Sequence, residues 1–117
     1  MERSIFFFLL ILYINLNLNM MKKVFIIGPL RNEPEILKEW EEAHKEVSSY
    51  GYLVFNPVKE YPEIIKDPKQ KIKAMACIFE EMLSCTHIYA IRGEFNREEN
   101  MLIAAAEIYG LEILPYN

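Results

Sequence analysis

Residues able to meet a small ligand fall at three places along this chain: Gly28-Pro29-Leu30-Arg31, Asn56-Pro57, and the stretch from Arg92 to Asn96 that contains Gly93. Gly28 permits a close backbone approach that a Cβ forbids, and Pro29 ends any strand ladder because it has no N–H to give. Asn56 can offer its amide to a ligand or bond its own backbone in an Asx-type turn. The Arg92–Asn96 stretch opens into a helix, and a helix N-terminus favours an anion or an oxygen-rich ligand. Arg31 and Arg92 have the donor geometry to hold a phosphate, or to pair with neighbouring glutamates. Glu98 and Glu99 stand just inside that helix start. There Glu99 can complete a capping box with Asn96, and Glu98 can interact with the helix dipole.

Four short apolar runs must position these loops. Val24–Ile27 is β-branched or aromatic throughout and reads as a strand buried on both faces. Tyr52–Phe55, His87–Ile91 and Leu111–Leu114 are the other strand candidates, the last ended by Pro115. Between the first two, Ile36, Leu37, Trp40, Ala43, His44, Val47 and Tyr50 recur at helical spacing. Asn32 with Glu35 suggests a capping box for that helix, Pro34 suits its first turn, and Gly51 suits its C-terminal cap. His44 lies at the edge of the apolar stripe and reads as a packing or partly exposed residue, since no second metal ligand stands four residues on. Val58–Gln70, broken by Pro62 and Pro68, reads as a long connection, either a binding loop or a solvated connector. Asp67-Pro68 opens a second amphipathic helix carrying Ile72, Met75, Ala76, Phe79, Met82 and Leu83. A third runs from Asn96 to Gly110, with Met101, Leu102, Ala104, Ala105, Ala106, Ile108 and Tyr109 as a broad apolar surface.

Strand then helix three times, with a final strand, implies right-handed βαβ crossovers. The expected fold is therefore α/β: a flavodoxin-like or Rossmann-like three-layer sandwich with a parallel sheet of about four strands and three helices. Such sheets bind small ligands outside the carboxyl ends of their strands, where all three loops fall. The sequence has no Walker lysine motif, Rossmann glycine fingerprint or nucleophile elbow.

Composition narrows the partners. A net charge of −4 gives no basic footprint for a nucleic-acid backbone. Cys77 and Cys85 lack ligand-like spacing and sit among apolar neighbours, which suggests buried free thiols in a reducing cytoplasm. No His, Cys and carboxylate cluster has metal-ligand spacing, so neither metal nor cofactor is expected. Residues 1–19 differ from the rest: Ile5–Ile14 is apolar throughout and Asn-Leu-Asn-Leu-Asn follows. That run is shorter than the roughly 20 residues a bilayer span needs. Glu2 beside Arg3 and the lack of a small-x-small site argue against a secretory signal. The readings are a signal, an anchor, or a leader ahead of a true start at Met20 or Met21. The last is preferred because an ordinary globular pattern begins at once. The chain then divides into an apolar leader, 1–19, and one domain, 20–117, with no membrane partner if the leader is not translated.

The string Val-Phe-Ile-Ile-Gly-Pro-Leu, followed by a helix ending in Tyr-Gly-Tyr-Leu-Val-Phe-Asn-Pro, resembles the nucleoside 2-deoxyribosyltransferase-like proteins. The resemblance is closest to their short branch of unknown function, common in phages and bacteria. Leu-Ser-Cys-Thr-His-Ile-Tyr-Ala-Ile, the Ala-rich helix and Tyr-Gly-Leu-Glu-Ile fit the same template, so nearly all of residues 22–114 is covered. It implies a flavodoxin-like sheet, a nucleoside or nucleotide in the pocket, and subunits that associate and complete one another's sites. It also implies cleavage of an N-glycosidic bond, with a glutamate of the third helix attacking the anomeric carbon and a second base or water completing transfer or hydrolysis.

The sequence departs from that template at four positions. Leu102 stands where the family's glutamate is usual, Thr86 where an aspartate follows the cysteine, Cys77 or Ile78 near another aspartate, and Phe25 for a tyrosine. Glu98 and Glu99, one turn earlier, are the candidate catalytic acids. Gly28, Pro29, Leu30, Arg31, Asn56, Gly93 and Asn96 are the candidate substrate contacts. Two functions follow: a cytoplasmic N-glycosidic transferase or hydrolase, or a catalytically degenerate nucleotide-binding protein of the same fold.

Overall fold

The computed structural model describes residues 2–91 and 95–114, with the side chains of residues 2 and 15–21 outside the description. Arg92, Gly93 and Pro115 therefore lie outside the described residues. The elements are α1 (Glu2–Met21), β1 (Lys23–Ile27), α2 (Pro34–Ser49), β2 (Leu53–Phe55), α3 (Pro57–Glu60), α4 (Glu63–Lys66), α5 (Pro68–Met82), β3 (His87–Ala90), α6 (Arg97–Tyr109) and β4 (Glu112–Ile113).

The sheet order is β2-β1-β3-β4, and every pairing is parallel. Phe25 stands opposite Phe55 on one side and Ile88 on the other. As the central strand, β1 has no wet face, which is why Val24, Phe25, Ile26 and Ile27 are all fully buried. Right-handed crossovers put α2 on one face of the sheet and α5 and α6 on the other. The packing of α5 against α6 agrees. This is the expected α/β, flavodoxin-like arrangement of a parallel sheet between helical layers.

Each helix is stopped and started by identifiable chemistry. Asp67 Oδ1 accepts from Lys69 N at 2.9 Å to open α5, and Asn96 Oδ1 accepts from Glu99 N at 2.9 Å to open α6. Gly110 closes α6 with φ of 76°, a left-handed conformation that costs a side-chain-bearing residue more. The start of α2 differs from the expected Asn32 cap. Its N-cap is Glu33, extended at φ −120° and ψ 137°, and no side chain caps it. Pro34 is the reason: the residue before a proline is pushed out of the helical region, so the helix cannot begin earlier, and Asn32 sits one residue too far out.

The expected long connection from Val58 to Gln70 is mostly ordered into α3 and α4. Ile64 is buried and fixes α4 to the core, and Tyr61 packs its ring 6.2 Å from that of Phe55. The apolar faces are narrower than expected. Ile72 (80% exposed) and Leu83 face solvent on α5 and its end, as does Tyr50 after α2. On α6 only Glu99, Leu102 and Ala106 are buried, while Met101, Ile108 (84% exposed) and Tyr109 are not. A helix laid on a sheet buries one stripe, and residues at other angles stay wet whatever their polarity. The same geometry exposes Cys77, which was expected to be buried; Cys85 is buried, and both are free thiols.

The apolar residues Ile5–Ile14 of α1 are all exposed. Among the described residues, no helix is long and apolar enough to cross a membrane.

Candidate functional site

The strand order creates a topological switch. From β1 the chain turns toward β2, and from β3 it turns the other way toward β4. The carboxyl ends of β1 and β3 therefore diverge and leave a crevice between their loops. They start side by side, with Ile91 N donating to Ile27 O at 2.7 Å.

Gly28 is needed at this junction for space. A Cβ built there would come within 2.7 Å of Ile91 Cδ1 and 3.0 Å of Trp40 Cζ2. Trp40 closes over the turn and donates its indole N–H to the Pro29 carbonyl at 2.8 Å. Leu30 is buried, so the first-strand loop is pinned from below and leaves Arg31 as its exposed, charged end. Arg31 lies 3.8 Å from Glu33 in a half-exposed ion pair.

The two candidate acids part company. Glu98 reaches across to α5 and pairs with Lys71 at 2.7 Å. Glu99 turns inward and is only 2% exposed. Its backbone N–H meets Asn96, but the reciprocal half of the capping box is not made. Burial raises the Glu99 pKa above the ordinary carboxylate value, while the Asn96 hydrogen bond and the charge of Arg31 pull the other way. Arg31 is thus close enough to be felt by the carboxylate. Leu102, one turn on, is buried in the core.

Asn56 is buried at the end of β2, and both polar atoms of its side chain are engaged. Its Oδ1 accepts from Val58 N at 3.1 Å and from Lys59 N at 3.2 Å, and its Nδ2 lies 3.2 Å from His44 Nδ1. Its amide thus turns toward α2, whereas Glu99 belongs to α6 on the other face of the sheet. The structure brings together Gly28, Pro29 and Leu30 through Trp40 and Ile91, and associates Arg31, Asn96 and Glu99. Gly93 lies outside the described residues.

Reasoning from sequence did not single out Trp40 as the clamp on Pro29, although a buried indole N–H must find an acceptor, and that is a usable signal. It gave no hint of Lys71 as the partner of Glu98, because nothing local links α5 to α6. Among the described residues, no group of three or more His, Cys, Asp or Glu could hold a metal ion.

A solved structure, that of a 2-deoxyribosyltransferase from the psychrotolerant bacterium Bacillus psychrosaccharolyticus, matches this chain with a TM-score of 0.63. The fold is shared. The sequences are 19% identical, and the match covers 78% of this chain and 69% of the other. That enzyme was characterised as a biocatalyst for synthesising antiviral and antitumoral nucleosides. No protein-family model matches the sequence, and no curated protein matches it.

Proposed function

We propose that this chain acts on the N-glycosidic bond of a nucleoside or nucleotide, with Glu99 as the nucleophile. The observation that carries the reading is the Glu99 carboxyl group, enclosed at the mouth of α6 and within electrostatic reach of Arg31. In the proposed step a Glu99 oxygen bonds to the anomeric carbon as the C–N bond breaks, and the base leaves with the bonding pair and takes up a proton. Water or a second base then releases the sugar, giving hydrolysis or transfer. Gly28, Pro29 and Leu30 form the floor, Asn96 stands at the helix mouth, and Arg31 faces a phosphate where the substrate has one. Asn56 supports the neighbouring loop. Likeness to a 2-deoxyribosyltransferase supports the substrate class. Membership of the short phage and bacterial branch, a working unit of residues 20–117, a cytoplasmic setting and association between copies belong to the same reading.

A second reading, a nucleotide binder without turnover, has its own support. Leu102, apolar and buried, stands where the resemblance to the deoxyribosyltransferase-like pattern would place the acid, and Glu98 is held by Lys71. One experiment separates them. The purified protein is incubated with a panel of 2′-deoxynucleosides and nucleotides, and released base is measured by chromatography. The enzyme reading expects release that Glu99→Gln abolishes and Glu98→Gln retains. Release untouched by Glu99→Gln would refute the assignment. Thermal stabilisation by a nucleotide without base release would favour the binder.

A further inference from the structure

A groove of about 720 Å³ runs between α2 and the start of α3, on the face of the sheet away from α6. That volume is in the range of pockets that hold a small molecule, roughly 300–1,000 Å³. Its apolar wall is Leu37, Trp40 and Val58. Lys45 and Lys59 stand at its rim, and among the described residues neither forms an ion pair. Lys38, also at the rim, is 4.0 Å from Glu42, and among the described residues Glu41 is the one acid in the lining. On a chain of net charge −4 this is a local excess of positive charge.

The polar wall is built rather than incidental. Two backbone N–H groups fix Asn56 Oδ1, so its Nδ2 must be the atom facing His44 Nδ1 at 3.2 Å. An amide nitrogen only donates, so Nδ1 accepts and the imidazole proton sits on Nε2. Protonating Nδ1 would set two donors against each other. In accord with this, burial, and then the charge of Lys59, lower the His44 pKa, with Glu60 opposing. Nε2–H has no partner among the described residues and is a fixed neutral donor.

We propose that this groove binds a small organic anion, a carboxylate or phosphate monoester carrying an apolar ring. The ring lies against Leu37, Trp40 and Val58, and the anionic head takes hydrogen bonds from Lys45 and Lys59. The inference does not need the Glu99 reading: Glu99 belongs to α6 on the other face of the sheet, and the one element the two sites share is Trp40, which lines this groove and clamps the Gly28-Pro29 turn.

Trp40 is the only tryptophan in the chain, so its fluorescence reports on the groove and on the Gly28-Pro29 turn it clamps, and the lysine and Glu99 variants below tell the two apart. The full chain is titrated with phenyl phosphate, benzoate, benzyl alcohol and inorganic phosphate. Saturable change is expected with phenyl phosphate or benzoate, and the tighter of the two identifies the head group. Benzyl alcohol, lacking charge, and inorganic phosphate, lacking a ring, should bind at least about tenfold more weakly. Lys45→Ala with Lys59→Ala, both exposed positions that leave the core intact, should weaken the preferred probe by a similar factor. Val58→Asp should remove binding, and Glu99→Gln should leave it unchanged. No saturable change with either ring-bearing anion, equal binding of benzyl alcohol, full binding by the double lysine variant, or loss in Glu99→Gln would each overturn the assignment.

Discussion

Gly28→Ala should destabilise the protein through one identified collision, and a second substitution should relieve it. The new methyl would sit 2.7 Å from Ile91 Cδ1 and 3.0 and 3.2 Å from two atoms of the Trp40 ring. Ordinary contact between carbons is about 3.5–4.0 Å, so the first overlap approaches 1 Å and the ring must give by a few tenths. Cδ1 is the end of a flexible side chain and can rotate away. The indole cannot move as freely, because its N–H is held by the Pro29 carbonyl at 2.8 Å. Overpacking of this kind costs about 1–3 kcal/mol. Part of that is offset, by about 0.4–1 kcal/mol, because alanine restricts the unfolded chain more than glycine. The net loss should be about 1–2 kcal/mol. In a domain of this size each kcal/mol lowers the melting temperature by about 4–8 °C.

The assay is urea denaturation followed by Trp40 fluorescence, on Gly28→Ala, Ile91→Val and the double variant. Ile91→Val removes the colliding Cδ1 and alone costs about 0.5–1.5 kcal/mol. In the double variant the added methyl occupies part of the vacated space. The cycle should therefore show a favourable coupling of about 1 kcal/mol, within the range for residues in contact. Strictly additive effects, or a Gly28→Ala protein as stable as the parent, would refute the packing described at the crevice.

Glu99 has a raised pKa, so between the unfolded and folded values the native state binds more protons and stability falls as pH rises. Glu99→Gln should accordingly be more stable than the parent at neutral pH, with the difference shrinking in acid, as read from denaturation midpoints at several pH values. Asn96→Ala removes the side-chain cap of α6 and should cost about 0.5–2 kcal/mol in the same assay. With iodoacetamide at pH 8, Cys77, which is exposed, should alkylate quickly; Cys85, buried and with its pKa pushed up to about 11, should react slowly, as followed by mass spectrometry. Removing residues 1–19 should leave the melting temperature of the sheet domain within about 1 °C of the full chain, since the apolar side chains of Ile5–Ile14 contribute nothing buried to its core.

The order of elements was legible because it rests on local physics. Val24–Ile27 has no polar residue to face water, so it reads as the central strand, and Asn96, Asp67 and Gly110 cap their helices by bonds or dihedrals within a few residues. The βαβ handedness then leaves little freedom in how the strands assemble. Local rules failed where two of them competed. Asn32 with Glu35 has the spacing of a capping box, but Pro34 forces Glu33 extended and moves the helix start past it. They also overstated the apolar faces, because a count of hydrophobic residues does not say which angle of a helix meets the sheet.

The site itself divides along the same line. By itself the sequence determined that Gly28, Asn56 and Asn96 end strands or begin helices at one edge of a parallel sheet, since turn and cap chemistry is carried by neighbours in the chain. Only the tertiary structure decided that Glu98 is tied to Lys71 while Glu99 is enclosed, that Trp40 clamps Pro29, and that Asn56 turns toward His44. Those are contacts between elements far apart in the chain. Their geometry is set by the angle at which each helix packs, which no local pattern encodes.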